Sequence, residues 1–152
     1  VATAAIFVLV VGLASADEAE RDTYTAAVEP ICKANTKTNE RVLKGVRSKV
    51  QQGKLSQAGT QFTKAATALK ATYAELKAVP QPPADSAKLN KWLGYVKGEA
   101  DLFQATGAAL KAGDETKAQK MSVKLTHNAN LANLQVLNFD FTYCRFEPSK
   151  FT

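Results

Sequence analysis

Few side chains in this sequence are able to do chemistry, and their spacing decides most of what they could do. His127 is the one histidine among 152 residues. Counting about 100° per residue along a helix, it points away from the Met121, Leu125 and Val136 stripe. Val123, Lys124, Asn130 and Leu131 lie one turn to either side, so no carboxylate joins it. Lys124 holds the position where the Glu of a di-iron Glu-x-x-His pair would stand. A surface histidine is the expectation. Met121 and His127 share one helix on different faces, so they cannot clamp both sides of one haem iron. The sequence also has no Cys-x-x-Cys-His for covalent haem attachment and no Gly-x-Ser-x-Gly nucleophile turn. These patterns predict no metal, no cofactor and no catalysis.

The carboxylates and amides are more informative. Glu99 falls at the edge of an apolar stripe near Tyr95 and Leu102, and Glu29 precedes Pro30. A boundary salt bridge is expected for each. Asn35 and Asn39 fall on the apolar face of the first helix, between Val28 and Val46, while Asn128 and Gln135 flank the facing stripe of the last. Buried amides must be paired, so these four predict a polar layer between the two helices. Its simpler role is to fix helix register. Its sharper role is to line a pocket for a small polar ligand.

The elements that position these residues follow from period and punctuation. Residues 1–16 are uncharged and mostly apolar, and they end in Ala14-Ser15-Ala16 before Asp17-Glu18. That is the pattern of a secretory signal, here truncated at its start, with an uncleaved anchor as the alternative. The folded domain is then 17–152. In an oxidising compartment the two cysteines, Cys32 and Cys144, are expected to form a disulfide.

Four stretches carry helical apolar spacing. The first is expected from about Thr23 to Gln52, with Val28, Ile31, Val42, Val46 and Val50 on one face and Pro30 kinking it or marking its start. Gly53 stops it. The second runs from about Leu55 to Val79, ended by Pro80-Gln81-Pro82-Pro83. Asp85 or Ser86 is expected to cap the third, whose stripe runs from Leu89 to Leu110. Asp114 caps the fourth, whose stripe continues to Phe139. The expected fold is all-α: an up-down-up-down four-helix bundle closed by one disulfide. In that topology the start of the first helix lies beside the end of the fourth, which is where the two cysteines fall.

Charge and exposed apolar surface bear on partners. The chain carries a net charge of +6, and the segment Thr23–Val79 has ten basic residues against three acidic. Lys33, Lys37, Arg41, Lys44 and Arg47 fall within about a third of one helix circumference, a candidate contact face for anionic lipid or a cell-wall polymer. No nucleic-acid reading motif accompanies them. Leu131, Leu134, Leu137 and Phe141 lie off the main stripe of the fourth helix. They are expected either to be covered by the aromatic tail (Tyr143, Phe146, Phe151) or to form a homodimer interface.

Tyr24, Ile31-Cys32, Ala34-Asn35, the long Lys/Ala helices and the closing Tyr143-Cys144 together resemble small exported helical-bundle proteins of actinobacterial type. The resemblance implies a helical fold and export, and carries no activity. A helix, a Pro-Pro linker and an Ala-Gly break are also similar to periplasmic b-type cytochrome bundles, in architecture only. The reading is a non-catalytic binding or structural protein at the cell envelope. The alternative is a carrier or sensor holding a small ligand inside the bundle.

Overall fold

The computed structural model describes residues 13–147. Most of the expected signal segment, and Pro148 and Phe151 of the tail, lie outside the described residues. The chain forms α1 (Leu13–Val42), α2 (Val46–Gln51), α3 (Leu55–Ala78), a 3₁₀ turn (Pro83–Asp85), α4 (Ser86–Lys111) and α5 (Glu115–Gln135). The four long helices make the up-down-up-down bundle, with α2 as a short extension of the first arm. No described helix is long and apolar enough to cross a membrane.

Local chemistry explains the breaks. At Gly53 (φ 70°), the Lys54 N–H reaches Lys49 O at 2.8 Å and the Gly53 N–H reaches Val50 O at 3.0 Å. At Gly113 (φ 71°), Asp114 N–H bonds Ala109 O at 2.9 Å and Gly113 N–H bonds Leu110 O at 3.1 Å. Both are the paired closure in which a left-handed residue turns the last carbonyls inward. Asp114 then accepts from Lys117 N–H at 2.9 Å and starts α5, as expected of a cap.

The first arm departs from the sequence reading. α1 begins at Leu13, runs through Pro30, and stops at Val42 rather than Gln52. Pro30 removes one internal hydrogen bond without ending the helix. Gly45 (φ 72°) instead makes the break, and α2 follows it at Val46–Gln51. The buried row of the arm is Tyr24, Val28, Cys32, Asn39, Leu43 and Val46, with Ile31 and Val42 only half-buried. Asp85 is a further correction. Its carboxylate does not cap α4 but receives Arg21, Nε to Oδ2 at 2.6 Å and Nη2 to Oδ1 at 3.3 Å. Ser86 turns its hydroxyl to Pro83 O. A long cationic side chain from α1 therefore secures the α3–α4 connection.

Packing is uneven around the bundle. α3 lies closely on α4, and α4 on α5, while α1 and α2 rest on α3. The flank between α1 and α5 is closed by the C-terminal strap, 136–147. Phe139 and Phe141 are buried and stack in one cluster with Tyr24 and Trp92, at ring separations from 5.1 to 6.4 Å. Asn133 clamps the strap by donating to Phe146 O at 2.9 Å and accepting from Phe146 N–H at 2.8 Å. Phe141 thus belongs to the core and not to an outer face. Leu134 and Leu137 stay 58% and 63% exposed, so the strap does not cover them. Cys32 and Cys144 form the disulfide, 112 residues apart with Cα atoms 5.1 Å apart. Such a bond belongs to an oxidising, non-cytosolic environment.

α3 and α4 touch backbone to backbone at one point. A Cβ built on Gly59 would lie 2.6 Å from Gly107 O, and one on Gly107 would lie 2.7 Å from Gly59 O. Either position must stay side-chain-free for the helices to approach this closely. Gly59→Ala or Gly107→Ala is expected to cost about 1–3 kcal/mol by urea unfolding. Gly94, on the same helix with nothing within 4 Å of an added Cβ, is the control, and its alanine variant should gain about 0.5–1 kcal/mol. Equal effects at Gly94 and Gly107 would refute the close crossing.

Candidate functional site

The uneven packing leaves a cavity of about 450 Å³ between α1, α3, α4, the middle of α5 and the strap. Such a volume lies in the range of small-molecule sites. Its apolar wall includes Phe62 and Leu69 from α3, Val96 and Phe103 from α4, and Leu125 from α5. The disulfide forms part of the wall. At the rim stand Lys37, Glu40, Arg145 and Glu147, all exposed.

Polar groups converge on this otherwise apolar space. Asn35 and Asn39 enter from α1, Thr72 from α3, and Glu99 and Thr106 from α4. Asn39 is 6% exposed, and its Oδ1 has no hydrogen-bond partner; neither has Asn35 Oδ1. A buried, unpaired acceptor costs on the order of 1–3 kcal/mol. Trp92, also in the lining, keeps an unpaired indole N–H.

Glu99 is the central charged group. It is 5% exposed, and Oε2 accepts from Asn128 Nδ2 at 2.7 Å, the same amide donating to Tyr95 O at 2.9 Å. Burial pushes its carboxyl up to about 7, opposed in part by the Asn128 hydrogen bond. The expected boundary salt bridge is absent because α5 covers this face of α4 with an amide and not a cation. Glu29 also departs from that expectation. Its carboxylate accepts the backbone N–H groups of Thr142, Tyr143 and Cys144, each at 3.0 Å, and so pins the strap to α1 beside the disulfide.

The predicted polar layer therefore divides. Asn35 and Asn39 face the cavity, Asn128 turns to α4, and Gln135 donates to Leu131 O of its own helix at 3.3 Å. Asn128 and Gln135 take acceptors on α4 and α5 and none on α1. The basic face is also divided. Lys33, Lys37 and Arg41 follow one another at four-residue spacing on α1, all exposed, and Lys33 Nζ lies 5.0 Å from the Tyr143 ring centre. Lys44 sits in the turn and Arg47 on α2. The Gly45 break thus interrupts the wheel that grouped all five.

His127 is exposed and Met121 half-buried. Among the described residues no group of three His, Cys, Asp or Glu is placed to hold a metal ion. Sequence reasoning named Glu99 but missed its burial, and it missed Thr72 and Thr106 as lining. Comparison with known proteins finds no matching protein family, no matching curated protein and no matching solved structure.

The Glu99 environment makes stability depend on pH with a definite sign. The folded carboxyl titrates near 7, against 4.5 for the free group, so between those values the folded state holds the proton more often. Its contribution is fully present below about pH 4.5 and is lost as pH rises through about 7, up to about 3 kcal/mol. Glu99→Gln should flatten this part of the stability profile, measured by urea unfolding at about pH 5 and about pH 8. A wild-type profile that rises with pH over this window, unchanged in the variant, would contradict the burial of Glu99.

Proposed function

We propose that the protein is a non-catalytic receptor or carrier that takes one small organic ligand into the bundle, in the cavity bounded by Asn35, Asn39 and Glu99. The observation that carries this reading is a cavity of about 450 Å³ whose largely apolar lining includes the buried polar side chains Asn39, Thr72, Glu99 and Thr106. A chain evolving only for stability would fill such a space with apolar side chains. The ligand would be mostly apolar, to match Phe62, Leu69 and Phe103, with one polar end directed at these polar groups. Together with the apolar run and Ala-Ser-Ala at 7–16, the disulfide supports a place of action outside the cytosol, in the envelope or beyond the cell.

A second reading concerns where the receptor is held. Lys33, Lys37, Arg41, Lys44 and Arg47 are all exposed, and Lys37 stands at the cavity rim. This favours docking of the first arm on anionic lipid or a cell-wall polymer, with the cavity mouth near that surface. Co-sedimentation with anionic vesicles should then fall with added salt and be lost on reversing Lys37, Arg41 and Lys44.

Uptake of the neutral fluorescent probe N-phenyl-1-naphthylamine tests the interior reading. The disulfide-bonded protein should brighten the probe saturably. Val96→Trp, which fills the cavity from α4, should weaken binding by about tenfold or more while circular dichroism stays helical. Unsaturable brightening, or uptake that Val96→Trp leaves unchanged, would remove the cavity from consideration.

A further inference from the structure

Acceptors outnumber donors among the buried polar atoms of the cavity lining. Thr72 gives its hydroxyl proton to Ala68 O at 3.1 Å, and Thr106 gives its proton to Leu102 O at 2.9 Å. Each therefore has only lone pairs left for a ligand. Asn35 Oδ1 and Asn39 Oδ1 are acceptors without partners. Glu99 adds a carboxyl group, held at Oε2 by Asn128. The Trp92 indole is the single unpaired buried donor in the lining.

The charges around the space point the same way. Lys37 and Glu40 from α1, and Arg145 and Glu147 from the strap, are exposed at the rim and balance one another. α3 and α5 bring no ionisable side chain to the lining, and Cys32 and Cys144 are joined as a disulfide. Glu99 is thus the one buried ionisable group lining the cavity, in a chain whose net charge is +6. Phe62 and Phe103, with ring centroids 5.8 Å apart at 63°, form an aromatic wall in the same cavity. Aromatic faces attract cations, more strongly where water is excluded.

Building on the interior-receptor reading, we propose that the ligand is an organic ammonium ion: a protonated primary or secondary amine on an aromatic or short branched body. Its N–H groups are donated to Glu99 and to the lone pairs left on Thr72 and Thr106, and its body lies against Phe62 and Phe103. An alcohol of the same shape offers one proton where the site presents several acceptors. A carboxylate offers none and meets Glu99 as a like charge. The cation also answers the cost of burying Glu99, which falls when an opposite charge lies beside it. Binding of the ammonium ion therefore favours the ionised carboxylate and tightens as pH rises through about 7.

The test is calorimetric titration of the disulfide-bonded chain at about pH 8 with 2-phenylethylammonium, 2-phenylethanol and 3-phenylpropionate. The ammonium ion should bind about tenfold more tightly than the alcohol, and the carboxylate most weakly. Glu99→Gln should remove most of that preference, weakening the ammonium ion more than the alcohol by about tenfold. The wild-type protein supplies an independent readout. Its ammonium affinity should rise by about tenfold between about pH 5.5 and about pH 8, with the alcohol unchanged. If the alcohol or carboxylate binds as tightly as the ammonium ion, or the ammonium profile is flat, the ammonium assignment is overturned and the receptor reading stands. If none of the three binds and the naphthylamine probe is also refused, both readings fall.

Discussion

The closure of α1 against the strap is the constraint on which the rest of the structure depends. Three of the long helices form a continuous packed layer, α3 on α4 and α4 on α5, but α1 rests mainly on α3. Two adjacent devices hold its far side. One is the Cys32–Cys144 bond, which closes a 112-residue separation and by loop entropy is worth about 4–5 kcal/mol. The other is the Glu29 carboxylate, which gathers three consecutive N–H groups of the strap in charge-assisted hydrogen bonds. Domains of this size are stable by only about 5–15 kcal/mol in total. A closure of that magnitude therefore decides whether α1 is a wall of the bundle or a loose arm.

The site is a consequence of how that closure is made. Because a strap and not a helix face joins α1 to α5, the gap between them is bridged without being filled. The end of the bundle near Trp92 is sealed by the Tyr24, Phe139 and Phe141 rings, and the start of α3 is fixed to α4 at Gly59 and Gly107. Between these two fixed ends, the lining includes Asn35, Asn39 and Glu99. Rigid ends and an unfilled middle suit a receptor, since the acceptors are held in place before any ligand arrives and little ordering is left for binding to bring about.

The helices were legible in the sequence where a local signal ended them. Gly53, the Pro80–Pro83 run, Gly113 and Asp114 fixed the limits of α3, α4 and the start of α5 within a residue or two, because each acts through its own backbone geometry. The first arm was less legible. A single period fitted through Gly45 hid a break that depends on one left-handed residue. The disulfide could be anticipated from topology, since antiparallel first and last helices bring Cys32 and Cys144 together. The cavity could not, because a volume belongs to the spacing of several elements and to no one of them. Glu99 illustrates the limit. The wheel placed it correctly at the edge of a stripe, but whether an edge is wet or buried depends on the neighbour, and Asn128 of α5 covers it. Phe141 was misread for a related reason: helical phase was extended beyond Gln135, where the helix had already ended.

The position of the strap in the chain also orders the events of assembly. A polypeptide emerges from its N-terminus, so Cys32 is exposed as a lone thiol until Cys144, 112 residues later, follows it. α3, α4 and α5 can pair as soon as each hairpin is complete, through contacts close in sequence that form early. The cavity has no such early form, since its remaining side is made from residues 142–147. The chamber is therefore completed only after all four long helices have been made. A chain ending before Thr142 would keep its described helices and leave the chamber open along that side.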